Sequence, residues 1–179
     1  MNPSRPYRDV ELHNIVELDR DADYLASRDD WDIITCELGV NMRDSIEPDE
    51  FDRRARYLVR TLLKRRPNKP VVLISPFTSG ADLLREPNVV SRRLLGYAES
   101  LRAIAAEHVE RHVHFIDGRE MLPDITGLTC DLVHPSTEGH TTMSERLAPR
   151  LDAILAAARG SRGRGRATTA PRTRRSRNG

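Results

Sequence analysis

Two short segments of the 179-residue chain carry residues whose types and spacing can do chemistry. The first is Asp131-Leu-Val-His134-Pro135, and the second is Leu38-Gly39-Val-Asn41 some ninety residues upstream. An Asp three residues before a His can hold the imidazole through one ring nitrogen and leave the other free to take a proton. A Gly and an Asn directly after an apolar strand can offer a backbone N–H and a side-chain amide to a developing oxyanion. A base with its orienter and an oxyanion site are two of the three parts of a serine hydrolase. The third part is a nucleophilic Ser on a strand-to-helix turn, and no such turn stands near the N-terminus. Taken singly, an Asp-x-x-His is an ordinary surface loop and a Gly-x-Asn an ordinary turn. Their order along the chain is what makes the pair informative.

The elements around them read as alternating strands and helices. Trp31–Leu38 is a strand rich in β-branched residues and ended by Gly39, with Trp31 as its anchor. Helical spacing of Phe51, Ala55, Leu58 and Leu62 predicts a helix over Pro48–Arg66. Pro48 and the acids at 49 and 50 suit its start, and Lys64, Arg65 and Arg66 suit its end. Val71–Ser75 is an apolar strand of the kind covered on both faces. A helix over Val90–His108, a strand over His112–Asp117, a loop over Gly127–Pro135 and a final helix over Glu138–Ala158 follow, with Pro149 predicting a kink or a late restart. Val10–Leu25 looks helical with no strand before it. The pattern implies a three-layer α/β/α fold with a mostly parallel sheet. In such a sheet reactive groups gather at the carboxyl ends of the strands, so the two segments converge on one edge. A sheet beginning at Trp31 has only three strands, which leads us to expect a missing N-terminal piece.

These residues resemble the SGNH (GDSL-like) hydrolases, small α/β enzymes of flavodoxin-like layering that cleave carboxylic esters with Ser, Gly, Asn and His. The resemblance covers Trp31 to Leu155. Leu38-Gly39-Val-Asn41 is similar to the family's third block, although many members carry an acid where this chain has Met42. Asp131-Leu-Val-His134-Pro135-Ser-Thr-Glu-Gly139 is similar to its fifth block, and this match is specific. The resemblance implies acyl transfer from a small-molecule ester, with His134 as base, Asp131 as orienter and Gly39 and Asn41 as oxyanion donors. It implies no metal and no organic cofactor. The family's Gly-Asp-Ser block is not found, since no Gly precedes Gly39. Neither Ser4 nor Ser27 has the strand and glycine around it that a nucleophile needs. Ser75 and Ser79 are the least poor substitutes, because they lie at a strand's carboxyl end. The expectation is a truncated and impaired hydrolase, with a non-catalytic binding protein of the same fold as the alternative.

Composition bounds the rest. Cys36 and Cys130 lie far apart, as two reduced thiols of a cytoplasmic protein would. No run approaches the ~18 apolar residues of a transmembrane helix, and the N-terminus lacks the apolar stretch of a secretory signal. Eight of the 29 basic residues fall in 159–179, which leaves about −6 on the remainder. The domain is therefore assigned to 1–158, and 159–179 is expected to be a disordered Arg-rich tail. Such a tail can contact nucleic acid or an acidic partner through counterion release, but it lacks interleaved aromatics and the signal is weak. His112 and His114 alternate along a strand and share a face in that reading, more as a structural or solvent-facing pair than as metal ligands. His140 is expected at the surface near the His134 loop, and Asp44 as a cap or an exposed acid.

Overall fold

A computed structural model describes the backbone of residues 18–167 and the side chains of 22–160. The order is α1 (Leu18–Ser27), β1 (Ile34–Glu37), α2 (Pro48–Arg65), β2 (Val71–Ile74), α3 (Val89–Glu107), β3 (Val113–Ile116), α4 (Gly118–Met121) and α5 (Thr137–Ala167). The strands form a parallel sheet in the order β1-β2-β3, with Ile34 opposite Val71 and Val71 opposite Val113. Among the described residues β1 is paired on one side only.

Strand alternation divides the apolar side chains between two faces. On one face Cys36, Val71, Leu73 and Val113 join the stripes of α1, α2 and α3 in a single core. On the other, Val72, Ile74 and Ile116 pack with Met121 and Leu151 from α4 and α5. Every residue of β2 is buried, as expected of a central strand covered on both faces. The expected three layers of helix, sheet and helix are therefore present. Phe51 of α2 stacks on Tyr97 of α3 with ring centroids 4.1 Å apart, and the pair closes the larger core.

Several boundaries differ from the expectation, each for a local reason. The first strand starts at Ile34 rather than Trp31, which is half-buried against the core with the Lys69 ammonium 5.1 Å from its ring centroid. Helix α2 is capped by backbone alone, because Glu47 makes no side-chain cap bond; Asp44 is an exposed acid 3.7 Å from Arg43. The short helix α4 was not anticipated: its four residues are too few for a periodic signal, and its start rests on the Asp117 carboxylate accepting from Arg119 N–H. Helix α5 continues through Pro149 without a break and runs to Ala167. Of the expected N-terminal helix the first part, Val10 to Glu17, lies outside the described residues, as does the chain beyond 167. His112 and His114 do not share a strand face. His112 closes a turn in the left-handed region at φ 60°, ahead of β3, so strand alternation does not apply to it.

The carboxyl end of β2 fixes the layers. Gly118 lies so close to Ser75 and Pro76 that a Cβ there would sit 2.0 Å from the Ser75 carbonyl oxygen and 2.7 Å from that of Pro76. These are backbone atoms of the buried β2 end and cannot swing aside as a flexible side chain would, so Gly118→Ala is expected to destabilise the fold by about 3 kcal/mol. Urea unfolding of the two proteins would measure it, and a change within about 0.5 kcal/mol would refute the account.

Candidate active site

The chain leaves β1 through Leu38 and turns at Gly39, whose φ of 123° is open only to glycine at low strain. The space is also closed, since a Cβ would lie 2.9 Å from both the Pro76 and the Tyr97 side chains. A single turn of 3-10 helix, Val40–Met42, follows and presents Asn41 to solvent. Tyr97 holds this turn from below. Its hydroxyl is directed at the carbonyl of Ile46, with that of Met42 at 3.2 Å, while its ring is fully buried. Burial pushes the phenol pKa up, so Tyr97 remains a donor. No signal near Gly39 in the sequence could have named Tyr97, because it arrives from α3 more than fifty residues later.

The Asp131–His134 loop is built as the spacing predicted. Asp131 Oδ2 lies 2.6 Å from His134 Nδ1. The other carboxylate oxygen accepts from the Thr129 hydroxyl at 2.8 Å, the Val133 N–H at 2.9 Å and the His134 N–H at 3.0 Å. The His134 imidazole, followed by these N–H groups and the hydroxyl, holds the Asp131 carboxyl far below the usual carboxylate range. Both side chains remain open to solvent, His134 at 74% and Asp131 at 47%. With Nδ1 engaged, Nε2 is the nitrogen left to exchange a proton.

Leu132, between them, takes φ 56°, which costs an L-residue roughly 1–2 kcal/mol. Hydrogen bonds hold it there: Leu132 N–H donates to the Thr129 carbonyl at 3.0 Å, and Gly80 N–H donates to the Leu132 carbonyl at 2.7 Å. The Gly80 turn is anchored in its own right, because Asp82 accepts from Ser79 N–H at 2.9 Å and from Arg119 Nη2 at 2.7 Å. The His loop therefore leans on the loop after β2, which leans on α4.

Parts of the two segments border one cleft of about 320 Å³, which Val40 and Asp131 line while Gly39, Asn41 and His134 themselves do not. Val40 and Arg43 wall it from the Gly39 side, Asp131, Leu132 and Val133 from the His134 side, and Ser79 and Gly80 lie between. Ser75 does not reach it. This serine is fully buried, and its hydroxyl accepts from Gly118 N–H at 2.9 Å and lies 3.3 Å from Asp117. Ser79 borders the cleft, but its hydroxyl oxygen is shielded from solvent. Cys36 is buried, with its thiol pKa pushed up to about 12 by desolvation, whereas Cys130 is exposed beside Asp131. His140 is exposed in the first turn of α5, and its N–H donates to the Ser136 carbonyl.

The GDSL-like lipase/acylhydrolase family model matches residues 11–142, which is most of the chain. The chain belongs to that family. Solved structures share its fold at low identity. The salicylyl-acyltransferase SsfX3 from a tetracycline biosynthetic pathway is 20% identical with a TM-score of 0.62, over 75% of this chain and 40% of that one. A GDSL-like lipase from Bacteroides ovatus, described as putative, is 21% identical with a TM-score of 0.61, over 77% of this chain and 40% of its own. A peptidoglycan O-acetylesterase is 17% identical with a TM-score of 0.54, over 70% and 38%. This GDSL-like chain thus spans about two-fifths of the length of these proteins. No curated protein is similar to it in sequence at a significant level.

Two outcomes are expected. Tyr97→Phe removes the hydroxyl beneath the Gly39 turn and lowers stability by about 1 kcal/mol, with amide exchange rising most at Gly39–Ile46; unchanged exchange there would remove Tyr97 as the support of the turn. For the loop, a carboxyl pKa depressed in the folded state stabilises above its unfolded value of about 3.9 and stops doing so as pH falls. The Asp131–His134 contact is therefore expected to hold at pH 5 and to be lost well below pH 4. The His134 ring signals in an NMR titration report it, and signals already those of a free imidazolium at pH 5 would contradict the pairing.

Proposed function

We propose that this chain carries the base and oxyanion portions of an SGNH-type site for carboxylic ester hydrolysis by acyl transfer, with the nucleophile segment missing. His134 takes and returns the proton through Nε2, and Asp131 fixes its tautomer and stabilises the imidazolium. The Gly39 N–H and the Asn41 side-chain amide donate to the oxyanion. The observation that carries this reading is the 2.6 Å contact between Asp131 and His134, with the second carboxylate oxygen held by three further donors. So many donors on one exposed carboxylate fix a side chain that a surface loop would leave to move.

Ser75 and Ser79 are poor replacements for the nucleophile: one hydroxyl is engaged deep in the fold, and the other is closed to solvent. Without a nucleophile, catalysis falls to what a base and an oxyanion site can do with water. Their burial also favours a second reading, a non-catalytic binding protein that keeps the cleft and contacts an acidic partner or nucleic acid through the Arg-rich segment beyond 158. No helix among the described residues is long and apolar enough to cross a membrane. A small-molecule ester and a cytoplasmic setting complete the proposal.

Treatment of the purified, folded chain with a fluorophosphonate probe, followed by mass spectrometry, is expected to leave every Ser unmodified. Hydrolysis of p-nitrophenyl acetate is expected to exceed the buffer rate and to fall to it in His134→Ala. A modified Ser whose labelling needs His134 would overturn the missing-nucleophile reading and identify a substitute. Hydrolysis at the buffer rate in the unaltered chain would leave the binding protein as the correct description.

A further inference from the structure

The cleft beside Asp131 has a chemical character that ester hydrolysis alone does not require. Leu84 and Leu132 stand at its wall with 44% and 38% of their surfaces exposed, and Phe77, Leu94 and Val133 line it further in. Exposed leucines flanking a concave site are a preferred contact for hydrocarbon. Leu132 is moreover held there in a strained conformation by the Gly80 N–H, which is not a state a solvent-facing leucine adopts unaided.

The charges are as telling as the apolar surface. Arg43 is the one cationic side chain that lines the cleft, and Asp131 the one carboxylate. Asp131 is committed to His134, Thr129 and two backbone N–H groups. Arg43 is loosely held by comparison. Its Nη1 lies 3.3 Å from the Val40 carbonyl, and its Nε lies 3.7 Å from an Asp44 carboxylate that is itself 73% exposed. A guanidinium with donors to spare, on the wall of an apolar cleft whose acid is already paired, is matched by an anion on an apolar body. A volume of about 320 Å³ is near the lower end of the ~300–1,000 Å³ of ligand sites, so that body is small.

We propose that this cleft selects a substrate with a short apolar body and a second, anionic group, as in the monoester of a dicarboxylic acid. The carboxylate lies on Arg43 and the hydrocarbon between Leu84 and Leu132. The proposal rests on the ester reading of the same site and names its substrate class. Arg43 and Leu84 are specificity residues here, distinct from the groups that move protons.

Isothermal titration calorimetry of the full chain at fixed ionic strength tests this without turnover. Hexanoate serves as the anionic probe and hexanamide as its neutral counterpart. Hexanoate is expected to bind at least about tenfold more tightly, since a charge-assisted hydrogen bond contributes about 1.5 kcal/mol or more. Arg43→Gln is expected to abolish that preference, and Arg43→Lys to keep part of it; Leu84→Asp is expected to weaken both probes at least severalfold. Melting curves by circular dichroism show that each variant is folded, and a variant that fails to fold is replaced at the same position by Met. Equal affinity for the two probes, or a preference that survives Arg43→Gln, would overturn the proposal; the latter would put the carboxylate at Gly39 and Asn41 instead. Binding as expected with no ester hydrolysis would refute the enzyme reading and leave the anionic apolar ligand standing.

Discussion

The arrangement depends on how closely the backbone is packed at the carboxyl end of β2. There Ser75 and Pro76 are wedged between Gly39 on one side and Gly118 on the other, and neither glycine has room for a methyl group. The Ser75 hydroxyl completes the contact by accepting from Gly118 N–H in a fully buried setting. A side chain that would be a reactive candidate if exposed is instead a strut. Because interiors are close-packed, small shifts here would propagate to both walls of the cleft.

From that corner the two halves of the site are supported separately. The Gly39 turn is held by Tyr97, whose ring stacks on Phe51 and whose hydroxyl serves the turn's own carbonyls. The His134 loop is held by a relay of short polar contacts from Arg119 through Asp82 to the Ser79–Gly80 turn, and from Gly80 to Leu132. One support is a buried aromatic and the other a partly exposed ion pair. They respond differently to conditions, since salt weakens the second much more than the first.

The same supports explain the chemical character of the cleft. The proposed oxyanion site needs donors that do not reorganise, and a glycine turn closed in by the Pro76 and Tyr97 side chains would supply them. The proposed base needs a fixed tautomer, and the short contact of the Asp131 carboxylate with His134 Nδ1 is suited to fixing it. The selectivity we propose for the cleft rests on an apolar wall of Leu84 and Leu132 and on Arg43, whose guanidinium is held only by the Val40 carbonyl and an exposed Asp44.

The sequence alone determined the elements whose signals are local. The helix from Pro48, the buried strand from Val71 and the Asp131-to-His134 spacing were all legible, because helical periodicity, an apolar run and a three-residue reach each act within a few residues. The family was legible for the same reason, from two short blocks on the correct elements. What only the tertiary structure decided were contacts between residues distant in the chain. Tyr97 under Gly39, the burial of Ser75 by Gly118, the strained Leu132 on Gly80 and the left-handed His112 that precedes β3 all depend on segments brought together by the sheet. Local pattern specifies which element forms; close packing specifies which side chains remain free to react.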